Sequence, residues 1–193
     1  MRISTTRPRE ANEDFILVNA DDIQRFKELF VDQLKDIYWA EKAFEKFSPK
    51  MVGDADEPEL KEVLTKQMGL IKEQVMRVED VFATIGKIAE GKVCEAMSGL
   101  IMEAERTVGE GKPGLVKDAA IIIAMQKIQH YKIATYGTLC AFANTLDERD
   151  GASLLHKTLN EVKGADDELS DIAESIQREM SIQAMLIQHH PNR

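Results

Sequence analysis

A chain of 193 residues with 44% hydrophobic and 31% charged residues can build one domain around a packed core and is not disordered in composition. Its 11 glycines and 5 prolines are too few for the many tight turns of an all-β sandwich. The formal net charge of −9 sets it against ligands held by basic clusters, so neither nucleic acid nor an anionic membrane is an expected partner.

Three arginines, Arg2, Arg7 and Arg9, precede the short apolar run Phe15-Ile16-Leu17-Val18. That run is shorter than a signal-peptide core and leads into Asp21 and Asp22, with no small-residue cleavage site. No stretch approaches the roughly 20 apolar residues of a spanning helix. The expectation is a cytoplasmic protein with an N-terminal arm over 1–20, one helical domain over 21–180 and a C-terminal tail over 181–193. Cys94 and Cys140 are too few for a disulfide scaffold and are expected to be reduced and packed.

From residue 21 the apolar period is helical. Asp21 or Asp22 caps a first helix over about 22–47, with Phe26, Phe30, Leu34, Ile37 and Phe44 on its seam and Pro49 helping to stop it. The turn Gly53 to Glu57 leads to Pro58, a good first helical residue, and a second helix over about 58–85. Its expected face is Leu64, Met68, Ile71, Val75, Val78, Phe82 and Ile85, with Gly86 ending it. A shorter helix over about 93–108 follows, and the glycine-rich connector Gly109 to Gly114 breaks it. A long helix over about 115–146 carries Ala119, Ile122, Ile133, Tyr136, Cys140 and Ala143. After the turn Asp147 to Gly151, the last helix has Leu155, Thr158, Val162, Ala165, Leu169, Ile172 and Ile176 in phase. Four long helices with one short helix between the second and third of them predict an all-α, antiparallel four-helix bundle.

Polar residues that interrupt these seams are the candidates for function. Glu41 lies four residues after Ile37 and three before Phe44, on the buried face of the first helix. Gln126 and Gln129 stand in the seam between Ile122 and Ile133, flanked by His130 and Lys132, and Glu161 and Asp166 flank Val162 and Ala165. A buried carboxylate needs a cation, hydrogen bonds or a proton, because burying it alone costs several kcal/mol. Two readings compete. One is a two-metal centre, whose usual set is a Glu from each of two helices and Glu-x-x-His from the other two. The other is a polar patch in which Glu41 pairs with Gln129, Lys132 or Lys72. The sequence contains no Glu-x-x-His: His130, His156, His189 and His190 are preceded at that spacing by Lys127, Ser153, Leu186 and Ile187. The second helix offers Met68, Gly69, Leu70 and Ile71 where ligands are needed.

Several runs are similar to the YciF-like branch of the ferritin-like superfamily. They include Leu34-Lys35-Asp36-Ile37-Tyr38 with Ala40-Glu41-Lys42, Val78-Glu79-Asp80-Val81-Phe82, Cys94-Glu95-Ala96-Met97 and Val116-Lys117-Asp118-Ala119-Ala120. His130-Tyr131-Lys132-Ile133-Ala134 before Tyr136-Gly137-Thr138-Leu139 continues the match, which covers about residues 24–175 in order. The resemblance implies a ferritin-like bundle, a homodimer, an association with bacterial stress responses and an ancestral two-metal site. At that site relatives read His-Leu-Glu-Glu-Thr where this chain has Gln67-Met68-Gly69-Leu70-Ile71, and Glu-His-Tyr-Glu where it has Gln129-His130-Tyr131-Lys132. Glu41, His130, Glu161 and Asp166 are kept, whereas the acids matching Gly69, Leu70, Gln129, Lys132 and Val162 are lost. The resulting expectation is a non-enzymatic bundle without cofactor, its remnant site comprising Glu41, Gln129, His130, Lys132, Glu161 and Asp166. The alternative is an iron- or manganese-binding oxidase or peroxide-detoxifying protein with a rearranged site. Asp54, Asp56 and Glu57 read as an exposed acidic turn, and Cys94, beside Lys92, as the more reactive of the two thiols although a packed role is favoured for both.

Overall fold

The computed structural model describes residues 18–189. The expected arm thus lies almost wholly outside the described residues. Within them the chain is all-α, with five helices: α1 Ala20–Asp54, α2 Pro58–Thr84, α3 Glu95–Gly109, α4 Leu115–Thr145 and α5 Arg149–His189.

The four long helices form the bundle, and side-chain contacts give its directions. Glu41 of α1 meets Tyr136 of α4, and Lys117 near the start of α4 meets Asp54 at the end of α1, so these two run antiparallel. Gln67 bonds the carbonyl of Ala165 and Arg77 the carboxylate of Glu161, which sets α2 antiparallel to α5. Gln129 reaches Gln67 and Lys132 reaches Gln74, so α2 and α4 lie parallel. The connection between them therefore has to climb the full height of the bundle. It does so through α3, tied to α1 by Lys50–Glu105 at 3.2 Å and to α4 by Lys127–Glu103 at 2.5 Å.

Local chemistry explains the helix ends. Asn19, rather than Asp21 or Asp22, caps α1: its side chain accepts from the Asp22 N–H at 3.0 Å, and the Asp22 carboxylate accepts from the Asn19 N–H at 3.1 Å. Pro49 does not stop the helix but sits inside it. A proline there leaves the carbonyl four residues back without its N–H, and the Ser48 hydroxyl donates to that carbonyl, Glu45 O, at 3.4 Å. Burial of Phe47 and Met51 against the core holds the following turn in helical form. Gly86, at φ 65°, ends α2 in the left-handed conformation, with Lys87 N–H bonded to Phe82 O and Gly86 N–H to Ala83 O. Gly151 lies within α5 rather than in the turn before it; a Cβ there would sit 3.3 Å from Thr84 Oγ1, so glycine permits the close approach of α5 to α2.

The acidic turn between α1 and α2 is a clasp. Asp118, 1% exposed on α4, accepts from the backbone N–H groups of Asp56 and Glu57 at 2.8 and 3.0 Å, capping α2 from a neighbouring helix. Asp56 in turn accepts from the Gly114 N–H at 2.6 Å, and Asp54 pairs with Lys117 at 2.7 Å. The last helix also outruns its expected end, continuing through residue 189 where a tail from 181 was expected.

Candidate functional site

The seam of α2 is Leu60, Leu64, Gln67, Ile71, Gln74, Val78 and Val81, all buried at heptad-like steps of four and three. Of the face read in the sequence, Leu64, Ile71, Val75, Val78 and Phe82 are buried; that reading passed over both glutamines in favour of Met68, which is half-buried. On α4 the residues Gln129, Lys132 and Tyr136 share one inward face, and on α5 the inward polar residues are Thr158 and Glu161. Together with Glu41 on α1 they make a polar layer across the middle of an otherwise apolar core.

Its centre is an ion pair. Glu41, 0% exposed, lies with Oε2 2.9 Å from Lys132 Nζ, and Lys132 is itself 1% exposed. The other oxygen, Oε1, accepts from the Tyr136 hydroxyl at 2.8 Å. Burial first, and then the Glu41 carboxylate, push the Tyr136 hydroxyl well above the ordinary tyrosine range. The Lys132 ammonium also donates to Gln74 Oε1 at 2.8 Å and stands 5.0 Å from the centre of the Phe44 ring. Gln74 Nε2 donates onward to Glu161 Oε2 at 3.1 Å. Arg77 grips both oxygens of Glu161, at 2.9 and 2.8 Å, and donates to Thr158 Oγ1 at 2.7 Å. Two carboxylates and two cations alternate through this chain of contacts, and their charges cancel.

A second, neutral chain lies beside it. Gln129 Nε2 donates to Gln67 Oε1 at 3.2 Å, and Gln67 Nε2 to the Ala165 carbonyl at 3.0 Å. A cavity of about 10 Å³ remains between Phe44, Gln67, Gln74, Gln129, Lys132 and Glu161. That is room for about one water and not for two cations spaced roughly 3.5–4 Å apart.

The six remnant-site residues are thus divided. Glu41, Lys132 and Glu161 join in the charged chain, and Gln129 lies beside them. Lys132 does not flank the seam but occupies it, and it is the partner that Glu41 selects from the three considered. His130 departs from the cluster: its side chain is 67% exposed on the outer side of α4 and meets Asp166 of α5, at 3.3 Å. Gln126 is half-buried and bonds Ser170 at 3.0 Å, outside the layer. Among the described residues three buried oxygens accept no hydrogen bond, Glu41 Oε2, Gln129 Oε1 and Asp166 Oδ1; the first is held by the lysine, and the others lie on different helices. Among the described residues no three His, Cys, Asp or Glu side chains converge in a manner that could hold a metal ion. Residues present do not fit a two-metal centre, because an ammonium group and a guanidinium group already neutralise the two acids of the layer, buried Glu41 and half-buried Glu161.

Gln67, Gln74, Arg77 and Thr158 belong to the layer; Thr158 was expected on the seam of the last helix, but none of the four was among the candidate site residues. A signal was available for the glutamines, which fall on the heptad steps of α2. Arg77 carried none, since a long cationic side chain next to Val78 reads as solvent-facing until Glu161 is known to lie opposite it. Both cysteines are buried. Cys94 caps α3 by accepting from the Met97 N–H at 3.3 Å and contacts the Tyr131 hydroxyl at 3.0 Å.

The profile of a domain of unknown function, DUF892, matches residues 25–181. This chain belongs to the DUF892 family. It is 33% identical over 153 residues to the protein YciF of Escherichia coli, an alignment covering 79% of this chain and 92% of that protein. The crystal structure of the E. coli stress protein YciF superposes with a TM-score of 0.77 at 32% identity, covering 79% of this chain and 97% of that one. YcfI from Rhodopseudomonas palustris, described as a candidate structural protein, superposes at 0.74 with 38% identity, covering 79% and 98%. The DUF892 match stops short of the last turns of α5. Among the described residues no helix is long and apolar enough to cross a membrane.

Proposed function

We propose that this DUF892 protein is a non-enzymatic, cytoplasmic homodimer with a structural or interaction role in the stress response, its ferritin-like two-metal site replaced by an internal ion-pair layer. One observation carries the reading: Lys132 Nζ lies 2.9 Å from Glu41 Oε2 in the middle of the bundle. A fixed cation in that place repels a divalent ion and satisfies the acid that would otherwise bind one. The bidentate Arg77–Glu161 pair does the same for the acid on α5. The stress association rests on the relative named as a stress protein, and the structural role on the relative described in those words. The iron- or manganese-dependent alternative would need His130 near Glu41, and the exposure of His130 gives it no support.

Elemental analysis of the purified chain, loaded with excess iron or manganese and then dialysed against metal-free buffer, tests the proposal. Substoichiometric metal is the expected result. About two equivalents retained per chain, the complement of a ferritin-like centre, would overturn it. Peroxide-dependent turnover that disappears in Glu41→Ala would sink the non-enzymatic part separately.

A further inference from the structure

The last buried residue of α5 is Ile176, at 5% exposure, yet the helix continues to His189. Every residue from 177 to 188 is exposed, and at about 1.5 Å per residue this overhang extends roughly 18 Å. It lies mostly beyond the DUF892 match, which ends at 181. A helical segment of this length is marginal in water unless something packs against it. Its composition points the same way. Met180 and Ile187 continue the seam of Leu169, Ile172 and Ile176, while Ile182, Met185 and Leu186 form a second apolar stripe at steps of three and four. These five side chains are between 41% and 70% exposed.

We propose that the overhang is a self-association element that packs antiparallel against the same segment of a second copy. Three observations select this occupant. From Met180 to Gln188 the helix carries no charged residue, so two copies of a chain with net charge −9 meet there without repulsion. The antiparallel arrangement also leaves the two acidic bundles at opposite ends, whereas a parallel pair would set them side by side. The area is sufficient as well: five half-exposed side chains per copy bury on the order of 1,000 Å² in all, the lower limit for a specific interface. Two apolar sides on one helix need enclosure, which an overhang lying between the partner's overhang and the end of the partner's bundle provides. A lipid surface fits less well, because no lysine or arginine flanks these stripes after Arg178 within the described residues.

This inference is independent of the homodimer proposed for the bundle, and one experiment separates them. Sedimentation equilibrium is run on the full chain, on the single variant Leu186→Glu and the double variant Met185→Glu, Leu186→Glu, and on Met102→Glu, which places the single variant's charge on a comparably exposed site of α3. The altered side chains touch no part of the bundle core, so the fold is retained. The expected result is that the single and double variants lose one doubling of mass, from dimer to monomer or from tetramer to dimer, while Met102→Glu matches the parent. Equal masses for the parent and the double variant overturn the proposal, whatever that mass is; if it is a dimer, the bundle interface stands alone. Binding to phosphatidylcholine vesicles by a parent chain that does not self-associate overturns it too.

Discussion

Replacing Lys132 by Met tests the central ion pair most directly. Methionine keeps most of the aliphatic volume beside Phe44 but removes the cation that touches Glu41, a carboxylate with no solvent exposure. It also leaves Gln74 Oε1 without its donor. Removing one member of a buried ion pair costs about 3–5 kcal/mol, since the other charge stays buried and unpaired. Glu41 keeps the Tyr136 hydroxyl as a donor, and such a bond to a charged group contributes about 1.5–3 kcal/mol. The loss is therefore placed at the lower end, about 3 kcal/mol, read from urea unfolding followed by circular dichroism at neutral pH. The double variant Glu41→Gln, Lys132→Met removes both charges and retains an acceptor for Tyr136, and it is expected to recover most of the loss. A single variant within about 1 kcal/mol of the parent would refute the view that this pair is a tightly coupled buried unit.

The other predictions concern neighbouring contacts. Arg77→Met, which strips Glu161 of its bidentate partner and Thr158 of a donor, is expected to cost about 2–3 kcal/mol in urea unfolding, and Arg77→Lys less, because an ammonium restores charge but not the planar fork. The tyrosines Tyr136, Tyr131 and Tyr38 all have raised pKa values in the folded chain: burial leads for the first two and the hydrogen bond to Glu79 for the third. Since a raised folded pKa gives stability that is full below the unfolded value near 10 and lost above it, unfolding midpoints should fall as pH rises past 10, with a shallower fall in Tyr136→Phe. Asp118→Ala should cost about 2 kcal/mol and speed hydrogen exchange at the Asp56 and Glu57 amides, which it caps. Unchanged exchange there would show that the clasp does not hold α2.

What the amino-acid order determined by itself was the sequence of helices, because the three-and-four spacing of apolar residues imposes one buried side on each long segment whatever lies opposite. It also marked Glu41, since an acid between Ile37 and Phe44 on such a face has no route to solvent. Tertiary structure decided what that acid is for. The choice of Lys132 over Gln129 or Lys72 depends on the rotation of α4 against α1, which one helix's periodicity does not specify. That same rotation turns His130 outward and brings Lys132 to the centre, two residues further on and on the opposite side of α4. Gln67, Gln74 and Arg77 gained their roles only when α2 was set parallel to α4 and antiparallel to α5, placing an acid and two amides within reach. Pro49 shows the same limit on a smaller scale. Its local cost was legible, but burial of Met51 two residues further on outweighs it, and burial is a property of the assembled core.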